Sequence, residues 1–181
     1  MLLDAKDSVV LVVDVQSRLM PAIHDMSGAL KGMRQVIAGA RLHDVPLLVS
    51  EQYPKGLGHT DPSLLKDIGE DASCFAKTTF SCMGDEAIAD AVQATGRNTL
   101  VLIGIEAPVC VLQTALEAKL HALRVVVVED AVSSRTEANR QAAIRRFAHH
   151  GIETVTAEMV LFEWTRESGT DAFRAMSQLI R

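Results

Sequence analysis

Three side chains in this sequence could share nucleophilic chemistry: Asp14, Lys77 and Cys110. Asp14 follows the aliphatic run Val9–Val13, Lys77 ends Cys74-Phe75-Ala76, and Cys110 lies shortly beyond Leu100–Gly104. A carboxylate directly after such a run is costly to bury unless it finds a partner. A lysine and a thiol brought to the same place would supply partners. Singly, each has a plain alternative: Asp14 caps a turn, Lys77 is solvated, and Cys110 is a small core residue. Together they would suit acyl transfer. Pro108 fits a first helical turn, where its missing N–H does no harm. That places Cys110 where free amides and the helix dipole favour an anion. The expectation is a thiol of lowered pKa, partly thiolate at neutral pH and alkylated by iodoacetamide before Cys74 and Cys82. Asp14 would shuttle its proton, and nearby backbone amides would cradle an oxyanion.

These residues need elements to hold them. Short aliphatic runs predict strands at Ser8–Val13, Pro46–Ser50, Cys74–Lys77, Asn98–Ile103, Arg124–Glu129 and Glu153–Thr156. Between them, apolar residues at three and four spacing predict helices at Ser27–Leu42, Asp85–Ala94, Val109–Ala122 and Thr136–His149. Ser81 or Gly84 would start the second of these, and Gly151 would stop the last. A helix over Asp171–Ile180 closes the chain. Buried strands alternating with helices imply βαβ units, hence an α/β fold with a parallel sheet covered on both faces. Ligands in such sheets lie beyond the carboxyl ends of the strands, where Asp14, Lys77 and Cys110 all fall.

Val13-Asp14-Val15-Gln16, Ala76-Lys77-Thr78-Thr79-Phe80 and Gly104-Ile105-Glu106-Ala107-Pro108-Val109-Cys110-Val111, in this order, resemble the isochorismatase-like cysteine hydrolases. The tail Met159-Val160-Leu161-Phe162-Glu163 is similar to the same family's final third. The resemblance implies a three-layer αβα sandwich with a six-stranded parallel sheet, formed by residues 1–181 as one domain. It implies a triad of Asp14 as base, Lys77 as electrostatic partner and Cys110 as nucleophile. It also implies a cis peptide between Ile105 and Glu106, turning the amides of Glu106 and Cys110 into an oxyanion hole. Gln16, Tyr53 and Phe80 stand beside these motifs and are the substrate-pocket candidates. Two departures narrow the reading. Ala107-Pro108 replaces the polar pair of many relatives. Ser50-Glu51-Gln52-Tyr53-Pro54, with only His59 nearby, lacks the Asp-x-His pair that holds a metal in nicotinamidase-type members. No metal and no cofactor are expected, and the stretch looks closest to the isochorismatase-domain-containing subgroup. A retained cysteine separates the chain from relatives that cleave isochorismate itself. Hydrolysis of a small amide or related C–N bond is the expected activity.

Composition supports the same class. The chain has 181 residues, 48% apolar and 23% charged, enough for a core without staples. A formal net charge of −5 argues against a nucleic-acid partner, since phosphate binding needs a basic face. No apolar run approaches the ~20 residues that cross a bilayer, and Asp4, Lys6 and Asp7 interrupt any secretory segment. Three cysteines without a C-x-x-C pair fit a reducing cytoplasm better than a disulfide framework. Dinucleotide, P-loop and G-x-S-x-G motifs are missing. His149-His150 reads as a helix C-terminus rather than a metal site. Phe162 and Trp164 either pack on the core or form a subunit contact, the contact being slightly favoured by the homo-oligomers usual among relatives. The partner expected is a small-molecule substrate. Other readings are a protein that keeps the fold and thiol for binding or redox sensing, and a flavodoxin-like nucleotide binder.

Overall fold

The computed structural model describes residues 1–69 and 72–180. Its strands are β1 (Ser8–Val13), β2 (Leu47–Gln52), β3 (Ser73–Lys77), β4 (Thr99–Ile105), β5 (Arg124–Ser133) and β6 (Glu153–Val155). Its helices are α1 (Met26–Leu42), α2 (Pro54–Leu57), α3 (Pro62–Ile68), α4 (Glu86–Ala94), α5 (Leu112–Leu120), α6 (Glu137–His149), α7 (Ala157–Thr165) and α8 (Asp171–Leu179). A π-helical turn, Ala107–Val111, links β4 to α5. The six strands pair in parallel in the order β3-β2-β1-β4-β5-β6. The chain therefore winds outward from β1, returns to its other side at β4, and winds outward again. That reversal leaves a crevice between the carboxyl ends of β1 and β4, the usual ligand position in such sheets.

Every residue of β1 is buried, which explains its unbroken aliphatic run. Val10 and Val12 face one core with Val101, Ile103, Met33, Val36, Ile37 and Val160. Val9 and Leu11 face the opposite core with Leu100, Leu102, Ile88, Val92 and Phe147. Each fully buried Leu, Ile or Phe stabilises the sheet by about 1.5–3 kcal/mol. Among the described residues no helix is long and apolar enough to cross a membrane.

Several boundaries differ from the sequence expectations for identifiable reasons. β5 continues through Glu129-Asp130 to Ser133, with an irregularity in its pairing to β4 between Leu102 and Gly104. Those two acidic residues resemble a strand end, but Asp130 Oδ1 accepts the Ala157 amide at 2.8 Å and starts α7. Arg140 donates to the Glu129 carbonyl and, at 3.1 Å, to that of Val132. α4 starts at Asp85, whose Oδ1 accepts the Ile88 amide at 3.3 Å, rather than at Ser81 or Gly84. Helix α7 was unexpected, and it turns Trp164 into the core, where Nε1 donates to Ser8 Oγ at 3.2 Å. Trp164 is thus a core residue rather than a subunit contact, whereas Phe162 remains exposed.

One glycine is required where the site forms. Gly104 pairs with Val13 at φ 135°, and a Cβ there would run into the Val13 carbonyl. Only glycine lets β4 approach β1 so closely at this level. Gly104→Ala is expected to lower stability by about 2–3 kcal/mol through backbone strain and overpacking. Urea denaturation measures this, and an unchanged midpoint would contradict the close approach.

Candidate active site

Three strand ends leave the sheet through left-handed residues: Asp14 (φ 55°) after β1, Tyr53 (φ 39°) after β2 and Glu106 (φ 58°) after β4. Such conformations cost about 1–3 kcal/mol each and persist where surrounding contacts enforce them. For Asp14 the contacts are explicit. Its amide donates to the Ser50 carbonyl at 3.1 Å. Oδ1 accepts from Ser50 Oγ at 2.7 Å, and Oδ2 accepts from Lys77 Nζ at 2.9 Å. Both members of this ion pair have fully buried side chains.

Lys77 is the last residue of β3, two strands away from β1. Besides Asp14, its Nζ donates to Gln52 Oε1 (2.6 Å), the Phe80 carbonyl (3.1 Å) and the Thr79 carbonyl (3.2 Å). An ammonium has three protons, so four oxygens saturate it. Burial alone would favour the neutral amine, but the Asp14 charge and the two nearby thiols outweigh it and hold the Lys77 pKa above its ordinary value. Lys77 is thus a fixed positive charge with no lone pair to offer and no proton to spare.

Cys110 sits in the π-helical turn and is buried. Its thiol pKa is pushed upward, first by burial and then by the Asp14 carboxylate, which also accepts its hydrogen bond; Lys77 opposes this only partly. The expected lowering is therefore overturned. Asp14 already neutralises the ammonium at 2.9 Å, so little positive field remains to counter the loss of water. The resting group is a thiol aimed at a carboxylate. Exposure differs from what the expected labelling order needs: Cys74 is the exposed cysteine, while Cys82 and Cys110 are buried, so iodoacetamide is expected to reach Cys74 first.

The remaining expected residues divide into two groups. Tyr53 and Phe80 are exposed beside the pair, joined to Lys77 through main-chain hydrogen bonds. Gln16 is fully buried, and its amide is committed elsewhere: Nε2 donates to the carbonyls of Gln52 (3.0 Å) and Gly58 (2.5 Å), and Oε1 accepts the Gln52 amide (2.7 Å). It ties two loops together instead of facing open space. Among the described residues every peptide bond is trans, so the cis bond expected at Ile105–Glu106 is not formed. The chain turns there by the left-handed Glu106 instead. The Glu106 carboxylate is held by Arg135 Nε at 2.7 Å and Ser134 Oγ at 3.5 Å. Ser50, Gln52 and Cys82 belong to this network and were not singled out for it. Their partners lie 25 to 36 residues away in the chain, so no local pattern marks them.

Glu51, on β2, faces away from Lys77 chemistry. Its buried carboxylate accepts from His59 Nδ1 (2.9 Å), Thr60 N (2.7 Å) and Thr60 Oγ1 (2.8 Å). Burial would raise its pKa, but these donors prevail and hold it below the ordinary carboxylate value. Its stabilisation is thus present above the unfolded-state pKa and is lost as pH falls through the lower folded-state value. Glu51→Gln is expected to cost about 1–2 kcal/mol at neutral pH. Thermal melts should show this difference shrinking as acid protonates the wild-type carboxylate; a constant gap would contradict the assignment. Among the described residues no three His, Cys, Asp or Glu side chains converge as metal ligands.

With this geometry in view, comparison with known proteins is decisive. Residues 8–159 match the model of the isochorismatase domain. The chain belongs to the isochorismatase family. Isochorismatase domain-containing protein 1 of Danio rerio is 35% identical over 174 residues, 96% of this chain and 61% of that protein. The chain thus spans about three fifths of the length of the first curated relatives it matches. Among solved structures, the MAR1 ribonuclease of Caenorhabditis elegans superposes with a TM-score of 0.93 at 34% identity, covering 99% of this chain and 92% of that one. YcaC of Pseudomonas aeruginosa, solved with hexane-2,5-diol and covalent acrylamide, gives 0.91 at 26% identity, covering 98% and 91%. The isochorismatase-family chain therefore carries the hydrolase fold of these relatives, with its β1, β3 and β4 ends meeting at one buried ion pair.

Proposed function

We propose that the isochorismatase-family site is that of a cysteine hydrolase cleaving a small amide or related C–N bond, with chemistry supplied by Asp14, Lys77 and Cys110. The observation that carries this reading is the buried Asp14–Lys77 pair with the Cys110 thiol against the same carboxylate. As the substrate carbonyl arrives, the sulfur attacks its carbon and Asp14 takes the thiol proton. The oxyanion forms against the backbone amides of Glu106 and Cys110. Collapse breaks the C–N bond, and Asp14 returns the proton to the departing amine. The remaining thioester is attacked by water, whose proton passes to Asp14 and then to the sulfur as the acid leaves. Lys77 keeps its protons throughout and offsets negative charge as it moves between carboxylate and sulfur.

Tyr53 and Phe80, exposed at the rim, would form apolar walls for the part of the substrate that does not react. Covalent acrylamide in the Pseudomonas relative is consistent with this chemistry, since acrylamide is an electrophile that soft nucleophiles attack. A phosphodiester, suggested by the name of the nematode relative, fits less well. Its anionic phosphate would face the Asp14 charge on a chain of net charge −5. A panel of small amides, carbamoyl compounds and vinyl ethers tests the proposal. Turnover of a C–N substrate that disappears in Cys110→Ala is the expected result; turnover that survives this substitution would overturn it.

A further inference from the structure

The chemistry above uses Asp14, Lys77 and Cys110 and leaves two buried hydroxyl and thiol groups without a role. Ser50 grips Asp14 twice. Its carbonyl accepts the Asp14 amide at 3.1 Å, and its hydroxyl donates to Oδ1 at 2.7 Å. Behind it, the Cys82 thiol donates to Ser50 Oγ at 3.4 Å. Cys82 is itself pinned, its amide donating at 2.8 Å to Thr114 Oγ1 on α5, the helix that continues from the turn bearing Cys110. All four residues are buried.

We propose that Ser50 is a positioning residue for Asp14, and that Cys82 fixes the direction of the serine's hydrogen bond. The proposal rests on the reading of Asp14 as the proton acceptor. A hydroxyl has one proton. Because Ser50 Oγ receives the Cys82 proton, its own proton goes to the carboxylate. Burial and the neighbouring Asp14 charge push the Cys82 thiol up to about 11, so it remains a donor at neutral pH and does not compete with Cys110 as a nucleophile. The titratable groups around the Asp14 carboxylate are Lys77 from β3, Cys82 from the segment before α4 and Cys110 from the turn after β4. With Ser50 on Oδ1 and Lys77 on Oδ2, the carboxylate cannot rotate, and its remaining lone pairs stay on Cys110. A chain of hydrogen bonds also polarises its members, so the thiol strengthens the serine as a donor. This arrangement explains a cysteine that is buried next to a reactive site yet is neither nucleophile nor disulfide partner.

The test is the pH profile of Cys110 alkylation by acrylamide, read by peptide mass mapping. Once Asp14 is protonated it has no lone pair for the thiol proton, so alkylation falls off on the acid side. Ser50→Ala removes one donor from the carboxylate and is expected to move that acid limb upward by about one pH unit, a tenfold change in proton affinity. Ser50→Thr keeps the hydroxyl and should restore the wild-type limb. Cys82→Ala should move it the same way by less, and serves as the second arm should Ser50→Thr not fold. A merely structural role would lower melting temperature without moving the limb. Asp14→Asn separates the two levels of the argument. If the acid limb persists in Asp14→Asn, the Asp14 reading itself fails. If it vanishes there but stays in place in Ser50→Ala, only the role given to Ser50 is overturned.

Discussion

Lys77→Met is expected to destabilise the folded chain by about 3–5 kcal/mol at neutral pH, the range for leaving one partner of a buried ion pair alone. The substitution keeps much of the side-chain volume and removes the charge. Four oxygens then lose their shared donor: Asp14 Oδ2, Gln52 Oε1 and the carbonyls of Thr79 and Phe80. The carboxylate suffers most. It retains only the Ser50 hydroxyl and the weak Cys110 thiol donor while enclosed by the ends of β1, β2 and β4.

The pH dependence distinguishes this cause from ordinary loss of packing. In the variant, an unpaired buried carboxylate favours its protonated form, so its folded-state pKa lies above the unfolded value. The folded state then binds the proton more tightly, and the variant recovers stability as pH falls. In the wild type the sign belongs to Lys77. Its raised pKa gives stability that is full below the unfolded lysine value and is lost as pH rises through the folded value. Urea denaturation across pH 4–9 reads the recovery of the variant, while the wild-type lysine contribution, lost only above the ordinary lysine value, stays constant over that range. Asp14→Asn combined with Lys77→Met should be less destabilised than Lys77→Met alone, because no charge is left buried. A deficit that ignores pH, or that simply adds in the double variant, would show that the pair is not the source.

How much of this was legible in the sequence depends on which interactions are local. β1 and β4 were readable because strands buried on both faces must be aliphatic at every position, as Val9–Val13 and Leu100–Ile103 are. Three reactive residues at strand ends, on a parallel βαβ pattern, already marked the rim. The charge balance was not readable. Pro108 and a nearby lysine suggested an activated thiol, but the 2.9 Å contact that neutralises that lysine joins residues 63 positions apart. The loop roles of Gln16 and Ser50 likewise depend on contacts 36 residues away. Trp164 shows an ambiguity that only packing resolves. An aromatic in a short segment looks like surface when the helix containing it has no clear apolar stripe, and α7 is apolar around much of its circumference. The trans bond at Glu106 shows how one geometric requirement, a sharp exit from β4, can be met by a left-handed residue instead of a cis peptide.

Turnover and simple thiol reactivity should fall together in Asp14→Asn, and this coupling is the sharpest consequence of a Cys110 thiol held up by burial. Cys110→Ser changes one atom in a buried turn and should leave stability within about 1 kcal/mol. It should nevertheless reduce hydrolysis by about four orders of magnitude or more, as removal of a nucleophile does elsewhere. A hydroxyl is far harder to deprotonate than a thiol, and a carboxylate is too weak a base to compensate. Asp14→Asn should abolish turnover comparably, since no group remains to carry the proton to the amine. The same loss reaches acrylamide. Burial is the largest cause holding the thiol up, ahead of Asp14, and Lys77 offsets it only partly. Replacing the carboxylate by a neutral amide leaves the burial in place and takes away the acceptor for the thiol proton. Cys110 of Asp14→Asn should therefore alkylate more slowly than the wild type at neutral pH, and the protein should hydrolyse nothing. Peptide mass mapping after timed exposure measures the first quantity, and amine release measures the second. Faster alkylation in Asp14→Asn would mean that the carboxylate only holds the resting proton instead of taking it during attack. The proton-acceptor role of Asp14 would then have to be abandoned.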